Sequence, residues 1–201
     1  MDLGVRAQES SLKNIFAPSE RLCMPPYQRS YSWGEREAGE LLTDLLDAAE
    51  TGTPHFIGAV VLNRGTEEGL LEIVDGQQRL TTLTILLAVL RDTESDAAKS
   101  KEIHALIADE ARPMLGEAAS WRLELNHMDG PFFRHMIQTP GATLSLDGES
   151  GESDSQRRMV QNARTLLKRV RELSDEDRRA LADITINRCA LVRVVVNDKD
   201  Q

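Results

Sequence analysis

The stretch Leu80–Arg91 (LTTLTILLAVLR) constrains the fold more than any other part of the chain. Its apolar residues recur on nearly every side of a helix, so the helix has no face to give to water and belongs inside a core. Other elements must then enclose it. Directly before it come Leu70–Val74, an apolar run of strand length, and the segment Asp75-Gly76-Gln77-Gln78-Arg79. A second apolar run, Phe56–Leu62, precedes these, and Asn63–Gly69 supplies turn residues, so the two strands read as a hairpin. With 40% hydrophobic residues in 201, the chain can bury one sizeable core, and the pattern predicts an α/β (α+β) class.

Residues 12–24 read as a short entry element and an extended stretch, which Pro25-Pro26 prolongs. Ser32-Trp33-Gly34-Glu35 reads as a capping box. The helix behind it carries Leu41, Leu42, Leu45, Leu46 and Ala49 on one face, and Gly52 is placed to end it. Further helices are predicted over 101–115, 130–137, 157–173 and from Ser174, with a short strand at 121–125. Residues 139–155, rich in Gly, Ser and acids, read as a mobile loop, and Ala190–Val196 as a final strand returning to the core. These signals divide the chain into a core over 1–92 and a helical subdomain over 93–201. In the 157–173 helix, Val160, Ala163, Leu167 and Val170 form the buried stripe. Arg157, Gln161, Arg164, Lys168 and Arg171 form a basic stripe, either a solvated face or a DNA-facing one. The polar end after a buried strand reads as that of a fragment of a longer protein.

A formal charge of −9 argues against a domain that coats DNA non-specifically, though not against a local contact patch. The cations are mostly arginine, the better residue for bidentate phosphate recognition. Cys23 and Cys189, far apart in apolar surroundings, read as buried thiols rather than a disulfide or a nucleophile. Met1-Asp2-Leu3-Gly4 is no signal peptide, and no apolar run is long enough to span a bilayer. A cytoplasmic protein with no membrane partner is expected.

Two segments carry chemistry. A loop leaving a strand and entering a helix presents free N–H groups at the positive end of the helix dipole, where phosphate is the natural ligand. In Asp75–Arg79, Gly76 lets a backbone approach and Arg79 can neutralise a transferring phosphoryl group. Asp75 can hold a magnesium ion or orient water, and Gln77 and Gln78 can position water or a base edge. The same residues also suit a plain polar turn capped by Asp75. No GxxxxGK[ST] loop occurs, which excludes an ordinary P-loop NTPase. The second segment, Pro25–Trp33, gathers Tyr27, Gln28, Arg29, Tyr31 and Trp33, a set that suits base stacking and phosphate contact. It equally suits an aromatic cluster pinning the loop to the core. His55, His104, His127 and His135 form no metal-binding spacing, and His127 with Asp129 is better read as structural.

The phrases PPYQRSYSW, LLTDLLDA, HFIGAVVL and EIVDGQQRLTTLTILL, in this order and spacing, resemble the N-terminal domain of GmrSD-type (SspE-like) modification-dependent restriction endonucleases. The resemblance is strong over residues 12–92 and weaker through Trp121–Leu125 and the last strand. It implies a ParB/sulfiredoxin-like core, a small mixed sheet with a large helical addition. It also implies nucleotide hydrolysis at Asp75, Gln77, Gln78 and Arg79, with Gly76, Thr81 and Thr82 at the nucleotide and Mg2+ on Asp75, GTP being favoured. Tyr27, Gln28, Arg29, Tyr31 and Trp33 would sense modified DNA, phosphorothioate or glucosylated hydroxymethylcytosine. A C-terminal HNH-type nuclease domain would be the partner in the same protein, and a homo-oligomer is compatible with the resemblance. Sulfiredoxin-like redox chemistry is disfavoured, because neither cysteine lies in the loop.

Three readings follow: an NTPase that controls a nuclease, a nucleotide- or DNA-binding switch that does not hydrolyse, and a dimerisation domain built on the helices beyond residue 101. Phosphate release, ligand binding without release, and a concentration-dependent size separate them.

Overall fold

The computed structural model describes residues 5–64, 67, 69–111, 114, 116 and 118–196. Strand β1 (Val5–Ser11) leads through a single turn, α1 (Leu12–Ile15), to β2 (Arg21–Cys23). Helix α2 (Glu35–Thr51) buries Leu41, Leu42 and Leu45 and ends at Gly52, whose φ of 67° supplies the left-handed cap that branched residues avoid. Its N-cap is Gly34 rather than Ser32. Only the reciprocal half of a capping box therefore forms, the Gly34 N–H donating to the Glu37 carboxylate at 2.9 Å.

The hairpin is present as β3 (His55–Arg64) and β4 (Leu70–Asp75), paired antiparallel with Leu62 opposite Ile73. Positions 65, 66 and 68 of its expected turn lie outside the described residues. Helix α3 (Gln77–Thr93) follows, and every residue from Leu80 to Arg91 is buried, as its all-round apolar pattern demands. Helix α4 (Ala97–His104), capped by Asp96, begins earlier and ends earlier than the 101–115 helix the spacing predicts. Its continuation becomes β5 (Ala108–Asp109), paired with β6 (Ser120–Trp121).

Arg122 caps that early stop. Its side chain is only 1% exposed, its Nε donates to the Ala105 carbonyl, and its Nη2 pairs with Asp109. The predicted 121–125 strand accordingly splits around Arg122, and β7 (Leu123–Glu124) joins the main sheet.

Helix α5 (Gly130–Phe133) runs on as a π-turn to Gln138. The 139–155 segment is tied down at several points. Asp92, buried beside Arg91, accepts from the Gly141 and Thr143 N–H groups and from the Thr143 hydroxyl, and residues 142–145 form a 3-10 turn. Helix α6 (Asp154–Arg171) buries Met159, Val160, Ala163, Leu166, Leu167 and Val170, and α7 (Asp175–Asp183) starts at the Ser174 cap. The last strand, β8 (Cys189–Val196), closes the order.

The main sheet has the strand order β1-β8-β3-β4-β2-β7. Pairs β1–β8 and β3–β4 are antiparallel, while β8–β3, β4–β2 and β2–β7 are parallel, so the fold is mixed α/β. Strand β8 lies between β1 and β3, and α6 packs on α2 and α3, so residues before and after position 92 share one core. Among the described residues no helix is long and apolar enough to cross a membrane. Both cysteines are free thiols, and burial pushes Cys189 up to about 12.

Candidate functional site

The β4–α3 junction is shaped first by packing. Gly76 has φ 94°, and a Cβ there would lie 3.1 Å from the Ala59 carbonyl oxygen and from Val60 Cγ2. The turn therefore needs glycine to pass close to β3. Among the described residues no side chain caps α3, and such an uncapped helix N-terminus attracts anions.

The junction residues fall into two groups. Gln78 faces inward: its Oε1 accepts from the Ser32 and Trp33 N–H groups at 2.7 and 3.2 Å, and its Nε2 donates to the Ser30 carbonyl at 3.3 Å. Thr81 and Thr82 are fully buried, with hydroxyls donating to the carbonyls of Gln77 and Gln78 at 2.8 and 2.9 Å. In contrast, Asp75 is exposed, and among the described residues its carboxylate has no partner. Gln77 Oε1 is buried without a hydrogen bond. Arg79 is half-buried; one Nη donates to the Ala59 carbonyl at 3.0 Å, and its other donors have no partner among the described residues. The guanidinium rests on Gly58, where an added Cβ would approach Arg79 Cζ to 2.9 Å. Gly58 has φ 104° and lies within an irregularity of β3.

The aromatic segment divides in the same way. Tyr31 is buried, its hydroxyl 2.7 Å from Thr82 Oγ1 and accepting from Asn162 Nδ2 at 2.7 Å. Burial pushes its pKa up to about 12, so Tyr31 stays a neutral hydrogen-bonding group. Asn162 also donates to the Trp33 carbonyl at 3.0 Å, and Trp33 packs partly buried on the core. Gln28 donates to the Val74 carbonyl at 2.9 Å. That leaves Tyr27, 72% exposed, and Arg29, exposed and without a partner among the described residues. The neighbours of Arg29 are both tied to the junction, Gln28 to the Val74 carbonyl and Ser30 to Gln78.

Sequence reasoning singled out these two segments but not Gly58, which packs under Arg79, or Asn162, which bonds Tyr31 and Trp33. The signal for Asn162 was available: it is a fully buried amide among Met159, Val160, Ala163 and Leu166 on the apolar stripe of α6. The signal for Gly58 was a glycine inside an apolar strand.

Other candidates do not converge on the junction. Arg157 and Arg164 of the basic stripe bond the Gly151, Glu152, Leu146 and Glu149 carbonyls. Asp129 is buried against Ser155 Oγ at 2.6 Å rather than paired with His127 at a metal site. The described residues contain no cluster of three His, Cys, Asp or Glu able to hold a metal. Two clefts lie elsewhere. One, of about 470 Å³, is bordered by Leu144, Leu146, Lys168 and Arg171; the other, of about 890 Å³, by Lys13, Ile103, Arg179 and Ile186.

The fold defines a mixed α/β domain, and its β4–α3 turn carries the Asp75 carboxylate and Gln77 Oε1, unpartnered among the described residues, beside Arg79. Residues 12–201 match the family model described as the GmrSD restriction endonuclease, N-terminal domain, and the chain belongs to that family. No curated protein matches it.

Proposed function

We propose that the chain is the nucleotide-hydrolysing and DNA-sensing domain of an anti-phage restriction protein, acting on the phosphates of a nucleoside triphosphate at the β4–α3 junction. The observation that carries this reading is the selective lack of partners there: Asp75, Gln77 and Arg79 keep free groups while Gln78, Thr81 and Thr82 are bonded inward. In hydrolysis, a water oxygen bonds to the γ-phosphorus, the bond from that phosphorus to the β–γ bridging oxygen breaks, and nucleoside diphosphate, inorganic phosphate and the water's proton leave. Arg79 offers N–H donors to the oxygens on which charge builds. The uncapped start of α3 adds backbone donors. Gln77 Oε1 and the Asp75 carboxylate are acceptors able to orient the attacking water.

Those two oxygens are hard donors of the kind Mg2+ takes alongside phosphate oxygens, so the residues fit that ion, with Asp75 as its carboxylate. Bound Mg2+ would neutralise phosphate charge. GTP is the favoured nucleotide. The DNA contact falls to Tyr27, as a stacking face, and to Arg29, with phosphorothioate or glucosylated hydroxymethylcytosine DNA as the ligand and a C-terminal nuclease domain as the controlled partner.

The division of labour is testable by substitution. Asp75→Asn and Gln77→Ala should each lower phosphate release by about tenfold or more while leaving the melting temperature in place. Thr82→Val should mainly lower stability. Unchanged turnover in both of the first pair would overturn the assignment. A switch that binds nucleotide without hydrolysis is the second reading, favoured by Asp75 being the one carboxylate among Asp75–Arg79. Nucleotide binding with no release, with modified DNA present, would select it.

A further inference from the structure

The hydrogen bonds around Gln78 do more than fill a core. Its amide uses both ends on the backbone of Ser30, Ser32 and Trp33, three residues of one loop, from a side chain 6% exposed on the first turn of α3. From the other side, Asn162 of α6 holds Tyr31 Oη and the Trp33 carbonyl, and Tyr31 Oη in turn meets Thr82 on the second turn of α3. Arg158 donates to the Ser32 carbonyl. Residues 30–33 are thus clamped between α3 and α6 through both backbone and side chain. The free stretch carrying Tyr27 and Arg29 is anchored next to that clamp and, through Gln28, to Val74.

We propose that Gln78 is a positioning residue that couples the aromatic loop to the Asp75–Arg79 turn, with Asn162 as the second anchor of the same clamp. The proposal rests on the reading of the junction as a nucleotide site for what the two ends bind. Its own content is mechanical: the loop cannot change its seat on α3 without disturbing the first turn of α3, and the reverse. Ligand at the turn is therefore felt at Trp33, and DNA at Tyr27 and Arg29 is felt at Asp75–Arg79. A buried amide suits this role. Its rigid pattern of one acceptor and one donor edge specifies one loop register, and an unmet buried amide costs enough to make that register strongly preferred.

Trp33 is the natural reporter, made the sole tryptophan by Trp121→Phe, which keeps a ring for Arg134 to stack on. The test compares this protein with its Gln78→Ala and Gln78→Glu variants, titrated with Mg2+ and a non-hydrolysable GTP analogue. Binding is followed by calorimetry and Trp33 emission in parallel, with melting curves confirming the fold. Expected is a Trp33 change on binding in the reference protein. Gln78→Ala should lose that change while still binding, with affinity reduced by no more than about tenfold. Gln78→Glu, which keeps the acceptor for the Ser32 and Trp33 N–H groups, should restore part of it. Binding without any Trp33 change in the reference protein, or a full change in Gln78→Ala, overturns the coupling.

A ligand-free arm separates this from the nucleotide reading. Asn162→Ala should raise amide hydrogen exchange both at 30–33 and at 77–80. A rise at 30–33 alone overturns the coupling even if nucleotide binds. Failure of calorimetric binding with every nucleotide removes the nucleotide reading, and the exchange result still decides the coupling.

Discussion

Gly58→Ala tests how β3 supports Arg79. The position has φ 104°, and the new methyl would sit 2.9 Å from Arg79 Cζ and Nη2. Two costs follow from this geometry. Holding a non-glycine residue at that φ costs about 1–3 kcal/mol. Pushing the guanidinium aside breaks its 3.0 Å bond to the Ala59 carbonyl, worth about 1 kcal/mol net. The sum, about 2–4 kcal/mol, corresponds to a melting shift of roughly 4–16 °C for a chain of this size. Urea denaturation of wild type, Gly58→Ala, Arg79→Ala and the double variant apportions it. In the Arg79→Ala background only the backbone part should remain, so the cycle should show a coupling of about 1 kcal/mol. Phosphate release should fall in Gly58→Ala much as in Arg79→Ala, because the arginine is displaced. Equal penalties in both backgrounds, within about 0.5 kcal/mol, would refute the stacking of Arg79 on Gly58.

Alkaline titration should destabilise the protein in a defined window. Burial raises Tyr31 from 10.0 to about 12, and the thiols of Cys23 and Cys189 from 9.0 to about 11 and about 12. The unfolded chain ionises first, so stability is full below pH 9 and falls as pH rises toward 12. Tyr31→Phe should remove the tyrosine part of that slope in denaturation curves, and an unchanged slope would contradict its burial. Arg91→Ala should destabilise by about 3–5 kcal/mol, since it strips Asp92 of its buried cation and the carbonyls of Ile137, Gln138 and Thr139 of their donor; a loss under 1 kcal/mol in the same assay would count against that anchor. Lys168→Glu should leave affinity for duplex DNA unchanged in a gel-shift titration, because the neighbouring Arg164 already serves the Leu146 and Glu149 carbonyls. A tenfold loss would instead establish the α6 stripe as a DNA contact.

What the sequence made legible follows from local periodicity. Helices α2, α3, α6 and α7 and strands β3, β4 and β8 each carry a strong period, a cap or a continuous apolar run. Strand β1 carries none: VRAQESS is mostly polar and lies exposed at the sheet edge, held by its pairing with β8. The early end of α4 was also hidden, because Ile103, Leu106 and Ile107 keep a helical spacing, while the residue that caps the end at Ala105, Arg122, comes from later in the chain. At the site, the motif marked the turn but not the direction of each side chain. Adjacent residues in α3 point about 100° apart, so Gln77 and Gln78 differ in role despite being the same residue. Only the loop docked from 45 to 48 positions upstream determines which of them is bonded.

Phosphate release from each of the four nucleoside triphosphates with Mg2+, measured for wild type and Arg79→Ala with and without phosphorothioate or glucosylated duplex DNA, decides whether the β4–α3 junction hydrolyses nucleotide. Release by wild type, greatest with GTP, lost in Arg79→Ala and raised by modified DNA is the predicted result. Release that survives Arg79→Ala, or none from any nucleotide even with modified DNA, would contradict hydrolysis at the β4–α3 junction.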